Sequence, residues 1–131
     1  MVRMFFLLGT MAAGWAVVFG AFGAHGLKKH LTPELLQTFE TAARYQMYHA
    51  LGLLAVSWAC SKHAGKLVNA AGYLFCAGIL LFSGSLYAYT LSYLNNPEGI
   101  KAFAMITPLG GVCFMAGWLC LGISALKWPK E

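Results

Sequence analysis

The longest uncharged stretch of the chain lies at residues 67–97, which read LVNAAGYLFCAGILLFSGSLYAYTLSYLNNP. Three further stretches carry no charged residue, at residues 4–27, 45–61 and 102–126. A helix needs about 20 predominantly apolar residues to cross the hydrocarbon core of a bilayer. Each stretch is near or above this length, so the sequence predicts an integral membrane protein with four spanning helices.

The composition and charge of the chain exclude several classes of function. Of the 131 residues, 60% are hydrophobic and 10% are charged, whereas soluble domains carry roughly 25% charged residues. The net charge of +5 comes from basic residues divided among the predicted helix ends, so we expect no nucleic-acid partner. The chain has no Asp, and its four Glu lie outside the uncharged stretches, which argues against carboxylate chemistry within the membrane.

We predict an all-α fold, a polytopic membrane protein in which residues 1–131 form a single four-helix transmembrane bundle. The spans are predicted at about residues 4–25, 45–61, 67–94 and 103–126. The first is longer than the apolar core of a signal peptide, so we expect it to be retained. Residues 33–44 place apolar side chains on one side and polar ones on the other. This pattern predicts a short amphipathic helix at the membrane surface that leads into the second span.

The distribution of basic residues favours one orientation in the membrane. With four spans, both termini share a side with the turn near residue 63, and this side carries Arg3, Lys62, Lys66, Lys127 and Lys130. The other side carries Lys28, Lys29, Arg44 and Lys101. Cytoplasmic segments are the ones enriched in Lys and Arg. We therefore expect a multi-pass protein of the cell membrane (inner or plasma membrane), with both termini in the cytoplasm.

Polar residues gather in the half of the predicted bundle that faces away from the cytoplasm. Polar groups at membrane depth normally face protein or a water-filled cavity. The candidates for a polar pocket, called here the outer polar residues, are His25, Arg44, Tyr45, Gln46, His49, Ser83, Ser85, Tyr87 and Thr107. An equally simple interpretation is that these side chains form hydrogen bonds between helices and hold the bundle together.

Small residues predict where the helices pack closely, because they let helix backbones approach each other in a membrane. The predicted packing positions are Gly20, Ala24, Gly84, Pro108, Gly110, Gly111 and Gly117. Pro108 falls in the first turns of the fourth helix, where a missing amide is best tolerated. The four cysteines form no Cys-x-x-Cys pair, so we expect free thiols. We also expect no metal site, no cofactor and no catalytic residue.

Several short segments together resemble a known family. They are GAFGAH at residues 20–25, YQMYH at 45–49, FSGSLY at 82–87, TPLGG at 107–111 and GW at 117–118. The combination resembles the small four-helix membrane proteins of the domain of unknown function 423 family, which is related to animal transmembrane protein 256. The resemblance covers nearly the whole chain and implies a polytopic inner or plasma membrane protein with no established activity. Its motif positions map onto His25, Tyr45, Gln46, His49, Ser83, Ser85, Tyr87, Thr107 and Pro108.

We expect a non-enzymatic structural or accessory membrane component. Its expected partners are the lipid bilayer and either a second copy of the chain or another membrane protein. One alternative is a small oligomeric transporter or channel that uses the outer polar pocket. Without an intramembrane carboxylate, only His25 and His49 could titrate in a proton-coupled version. A further alternative is a haem-binding or lipid-active protein that uses the same two histidines.

Overall fold

The computed structural model describes residues 1–129, which are helical except for short connections and contain no strand. The five α-helices are α1 (Val2–His25), α2 (Pro33–Lys62), α3 (Lys66–Gly78), α4 (Gly84–Ser92) and α5 (Ala102–Ala125). A π-helical segment, Ile79–Ser83, joins α3 to α4 without a break. The all-α prediction is confirmed. Lys130, one of the basic residues used to predict the orientation, lies outside the described residues.

Three helical segments are long and apolar enough to cross a membrane: Val2–His25, Lys66–Ser92 and Ala102–Ala125. They coincide with the first, third and fourth predicted spans. Helix α2, which contains the second predicted span, is not among them, so that span stays a prediction. Helix α2 is also the most enclosed helix, since it buries twelve residues, whereas α1 and α5 bury four each.

Helix α2 is one continuous helix of 30 residues. Its start follows from local chemistry, because the hydroxyl of Thr32 accepts a hydrogen bond from the amide of Leu35 at 3.4 Å and Pro33 occupies the first turn. The predicted amphipathic segment, residues 33–44, forms its first three turns and runs straight into the apolar part. The side of this segment predicted to be apolar is the side that buries Phe39, Ala42 and Ala43.

The helices pack as neighbours, α1 along α2 and α3 along α5, while α2 also contacts the whole Lys66–Ser92 arm. We call the end that holds the 63–65 turn and the start of α1 the inner end, and the end with the 26–32 loop the outer end. The larger core lies toward the inner end and contains Phe5, Leu53, Val56, Val68, Phe75 and Phe114. A smaller core at the outer end contains Leu27, Leu31 and Phe39.

Glycines allow aromatic rings to lie directly on helix backbones in the larger core. The ring of Phe5 lies over Gly72, and that of Phe75 over Gly117. A Cβ atom at Gly117 would lie 2.7 Å from the Phe75 ring, closer than carbon atoms can approach. Among the predicted packing positions, Gly110 and Gly117 are therefore in tight contact between helices.

The packed face of α1 differs from the face that the small residues suggested. Gly20 has open space where a Cβ would be, and Ala24 is exposed. The buried residues of α1 are instead Phe5, Gly9, Ala16 and Gly23. Three of these lie seven residues apart, the repeat typical of helices that pack at a shallow left-handed crossing angle. The predicted packing positions Gly20 and Ala24 therefore lie off the face of α1 that packs.

The π-helical segment interrupts what the sequence predicts as an uninterrupted third helix over residues 67–94. One extra residue per turn widens the helix locally. Gly110 of α5 lies against the backbone of Phe82 in this segment, where no space is left for a side chain at position 110. Helix α5 can therefore approach the widened turn closely. Nothing in the local sequence, such as a proline, predicted this feature.

Candidate functional site

Gln46 lies at the centre of a hydrogen-bonded link between three helices. It is on α2 and is only 5% exposed. Its Nε2 donates to the carbonyl oxygen of Ala12 on α1 at 2.8 Å. Its Oε1 accepts a hydrogen bond from the hydroxyl of Tyr87 on α4 at 2.9 Å. Both ends of the amide are therefore used between helices, and we call this set the Gln46 link.

His49, one turn further along α2, forms a second link to α5. Its Nε2 lies 3.1 Å from the indole Nε1 of Trp118, and its Nδ1 lies 2.7 Å from the carbonyl oxygen of Tyr45. An indole N–H can only donate, so Nε2 accepts and Nδ1 carries the proton. Because both ring nitrogens are occupied in the neutral form, a metal, haem or substrate would have to displace one of these bonds.

The imidazole of His49 is also held by stacking. Its ring centroid lies 3.4 Å from that of Phe114, with an angle of 6° between the planes. The ring is 4% exposed. His25, by contrast, is exposed at the last turn of α1. The two histidines that the haem-binding alternative pairs therefore lie in different environments.

Polar residues of the third and fourth predicted spans, which correspond here to α4 and α5, form a third link between helices. The hydroxyls of Ser85 on α4 and Thr107 on α5 are 2.7 Å apart, and Ser85 also donates to the carbonyl oxygen of Phe82 at 2.9 Å. Ser83 is completely buried in the π-helical segment, and its hydroxyl has no hydrogen-bond partner within residues 1–129. Arg44 and Tyr45 are exposed on α2.

The outer polar residues do not line one shared cavity. A groove of about 540 Å³ between α2 and α5 is lined by Tyr45 and His49 among largely aromatic side chains. A separate groove of about 390 Å³ is lined by Gln46 and Tyr87. The structure thus brings six of the nine residues to the helix interfaces, namely Gln46, His49, Ser83, Ser85, Tyr87 and Thr107, and leaves His25, Arg44 and Tyr45 exposed.

Sequence reasoning missed the role of Trp118. This residue lies deeper in its predicted span, residues 103–126, than an interfacial tryptophan would. Its ring is 45% exposed on a helix whose outward face meets lipid, and an N–H group there has no water to bond. A tryptophan at this depth was therefore a signal that an acceptor lies nearby, and that acceptor is His49.

Comparison with known proteins places the chain in a family. Residues 19–111 match the family model described as protein of unknown function (DUF423). The chain belongs to this family. The part of the chain that matches DUF423 contains Gln46, His49, Ser85, Tyr87 and Thr107, while the bonding partners Ala12 and Trp118 lie outside it. No solved structure matches the chain.

Relatives of this DUF423 chain are described as membrane proteins. It is 42% identical to the UPF0382 membrane protein YwdK of Bacillus subtilis over 128 residues, which cover 97% of this chain and 99% of that protein. It is 44% identical to a UPF0382 membrane protein of Staphylococcus saprophyticus over 126 residues, which cover 96% of this chain and 99% of that protein. The chain is a membrane protein of a family without an assigned function, as the resemblance implied.

Proposed function

We propose that this DUF423 protein is a non-enzymatic structural or accessory component of the cell membrane, in which the outer polar residues fasten the helices together. The Gln46 link is the main support for the proposal, because both ends of its buried amide are hydrogen-bonded to other helices, α1 and α4. The His49–Trp118 and Ser85–Thr107 bonds use polar groups in the same way. Groups engaged between helices are not free to bind a substrate.

The proposal includes α2 as a fourth span, enclosed by the other three. A helix that meets other helices rather than lipid does not need an apolar surface on every side. Twelve buried residues in α2 support this placement, and they include the polar side chains of Gln46, His49 and Ser57. Four spans return the chain to the side on which it began. The basic residues of the inner end then favour cytoplasmic termini.

The haem-binding and lipid-active alternatives receive less support from the geometry. Both rely on His25 and His49, of which one is exposed and the other is buried under Phe114. The Nε2 lone pair of His49 would otherwise be its ligand or base, and it already accepts the bond from Trp118. A structural histidine explains each of these contacts without a further group.

The two histidines provide a matched test of this function. We expect His49→Ala to lower the thermal stability of the purified protein in mild detergent, by roughly 2–3 kcal/mol, because it removes the stacked ring and leaves the Trp118 N–H unpaired. His25→Ala is the control, and its melt should match that of the wild type. Thermal melts are read together with the visible spectrum and mass spectrometry of copurifying molecules.

A different outcome would overturn the structural role. It is contradicted if the wild type carries a chromophore or small molecule that disappears in His49→Ala while the melting temperature is unchanged. An accessory role also requires a protein partner, which we propose to be a second copy or another membrane protein. Chemical cross-linking in native membranes, followed by mass spectrometry, should capture one at a defined contact.

A further inference from the structure

A third cavity lies at the inner end of the bundle, away from the outer polar residues. It has a volume of about 440 Å³ and opens between the 63–65 turn, the first turn of α3 and the residues that follow α5. The residues that line it include Lys66, Lys127, His63, Ser124 and Trp128. Cavities of roughly 300–1,000 Å³ are typical of small-ligand sites.

The charge around this cavity is positive. Lys66 and Lys127 line the same space, and Lys62 precedes the turn that forms its edge. The start of α1, which carries Arg3, lies at the same end of the bundle, where Ser57 of α2 donates to the carbonyl oxygen of Val2 at 2.8 Å. The acids of the described chain, Glu34, Glu40 and Glu98, lie in segments at the outer end. Two lysines that share a cavity repel each other, and a bound anion would offset this repulsion.

Hydrogen-bond donors accompany these charges. Helix α3 begins after Gly65, and within residues 1–129 no side chain caps its first turn. Unpaired amides at a helix N-terminus favour anions. Trp128 lines the cavity, and its indole Nε1 is buried without a hydrogen-bond partner among residues 1–129. The described residues thus leave donors, but no carboxylate acceptor, at this cavity.

We propose that this cavity binds a phosphate group, the chemistry shared by the headgroup of an anionic phospholipid and free phosphate. Lysine acts as a point-charge ligand for phosphate, and basic pockets between membrane helices at the cytoplasmic surface bind anionic headgroups. The site rests on the proposed cytoplasmic position of the inner end but not on the proposed role of the outer polar residues. Failure of one proposal therefore leaves the other standing.

The test uses the full-length protein in mild detergent and native mass spectrometry of bound lipid. Dioleoylphosphatidylglycerol should bind more tightly than dioleoylphosphatidylcholine, whose choline adds a positive charge beside the lysines. Lys66→Gln/Lys127→Gln should weaken phosphatidylglycerol binding about 30-fold, or about fivefold for each lysine near an anionic group. The matched control is Lys28→Gln/Lys29→Gln at the outer end, which should leave binding unchanged. Lys66→Arg/Lys127→Arg should retain it.

Inorganic phosphate distinguishes the two sources of the ligand. Displacement of phosphatidylglycerol by millimolar phosphate assigns the site to phosphate itself, whereas lipid that stays bound assigns it to the headgroup carried on acyl chains. The proposal is overturned if the Lys66→Gln/Lys127→Gln variant binds phosphatidylglycerol as tightly as the wild type. It is also overturned if the Lys28→Gln/Lys29→Gln control loses as much phosphatidylglycerol binding, or if the wild type binds the two lipids equally. The single variants, each expected to lose about fivefold, replace the double variant if it melts below the assay temperature.

Discussion

Gln46 has a side chain that lipid cannot solvate, and it is held by two neighbouring helices at once. An unpaired amide in hydrocarbon costs several kcal/mol. The carbonyl of Ala12 has a second lone pair beyond the one used within α1, so it accepts the bond from Gln46 at no loss to the helix. Since Tyr87 supplies the other partner, the position of one side chain orients α1 and α4 about α2.

Because Gln46 and Tyr87 act as a pair, they should show coupled energetics. We expect Gln46→Leu and Tyr87→Phe each to destabilise the bundle, with a coupling energy of about 0.6 kcal/mol in a double-mutant cycle, the average for hydrogen bonds between membrane helices. Unfolding in sodium dodecyl sulfate gives the free energy of unfolding of the wild type, the two single variants and the double variant. Tyr89→Phe is the control, because the Tyr89 hydroxyl pairs with that of Tyr93, four residues along the chain, and not with another helix. A coupling energy of zero between Gln46 and Tyr87 would contradict the link.

At the scale of elements, the π-helical segment and α5 depend on each other. Gly110 of α5 lies against the backbone of Phe82 in the widened turn Ile79–Ser83, and the ring of Phe82 packs near that of Phe114 on α5. The segment also holds Ser83, whose buried hydroxyl lacks a partner within residues 1–129. π-helical turns persist only where their surroundings stabilise them. We infer that the contact at Gly110 is one such stabilising contact.

Gly110→Ala should therefore destabilise the protein more than a glycine replacement elsewhere on the same helix. An added Cβ would overlap the backbone of Phe82, and overpacking of this kind costs about 1–3 kcal/mol. Gly122→Ala on α5 is the control, since nothing lies within 4 Å of a Cβ at that position. Thermal melts of both variants in detergent make the comparison. Equal melting temperatures would show that α5 moves freely away from the π-helical segment.

For the whole molecule, the number of membrane crossings depends on whether the enclosed helix α2 spans the bilayer. The other three long helical segments have exposed apolar side chains on their outer faces, among them Leu80, Met105 and Leu119. Helix α2 has less such surface because its neighbours cover it. If α2 crosses the bilayer, the 26–32 loop and the 63–65 turn lie on opposite sides. If it does not, they lie on the same side.

Single cysteines can distinguish these arrangements in a background without the four native cysteines. In intact cells, a membrane-impermeant maleimide should label His30→Cys and Asn96→Cys, whereas Ala64→Cys should react only after the cells are opened. All three positions are exposed in the structure, so the membrane alone limits labelling. Equal labelling of His30→Cys and Ala64→Cys would exclude the fourth span. A reversed pattern would keep four spans and place the termini outside.

Much of the fold could be predicted because its causes are local. The uncharged stretches predicted the three helical segments that are long and apolar enough to cross a membrane, and Thr32-Pro33-Glu34 predicted the start of α2. The candidate site was predicted as a set of residues but not as contacts. Depth along a helix follows from position in the chain, whereas the direction in which Gln46 or His49 points depends on how each helix is rotated.

The sequence by itself determined that this chain is an all-helical membrane protein. Only the tertiary structure decided that Trp118 bonds to His49 across 69 residues of chain, that Gln46 joins three helices, and that two distant lysines share one cavity. The physical reason is that hydropathy and helix signals act over a few turns. The rotation of each helix, by contrast, is set by contacts such as Phe5 on Gly72 and Phe75 on Gly117, which exist only after the helices have packed.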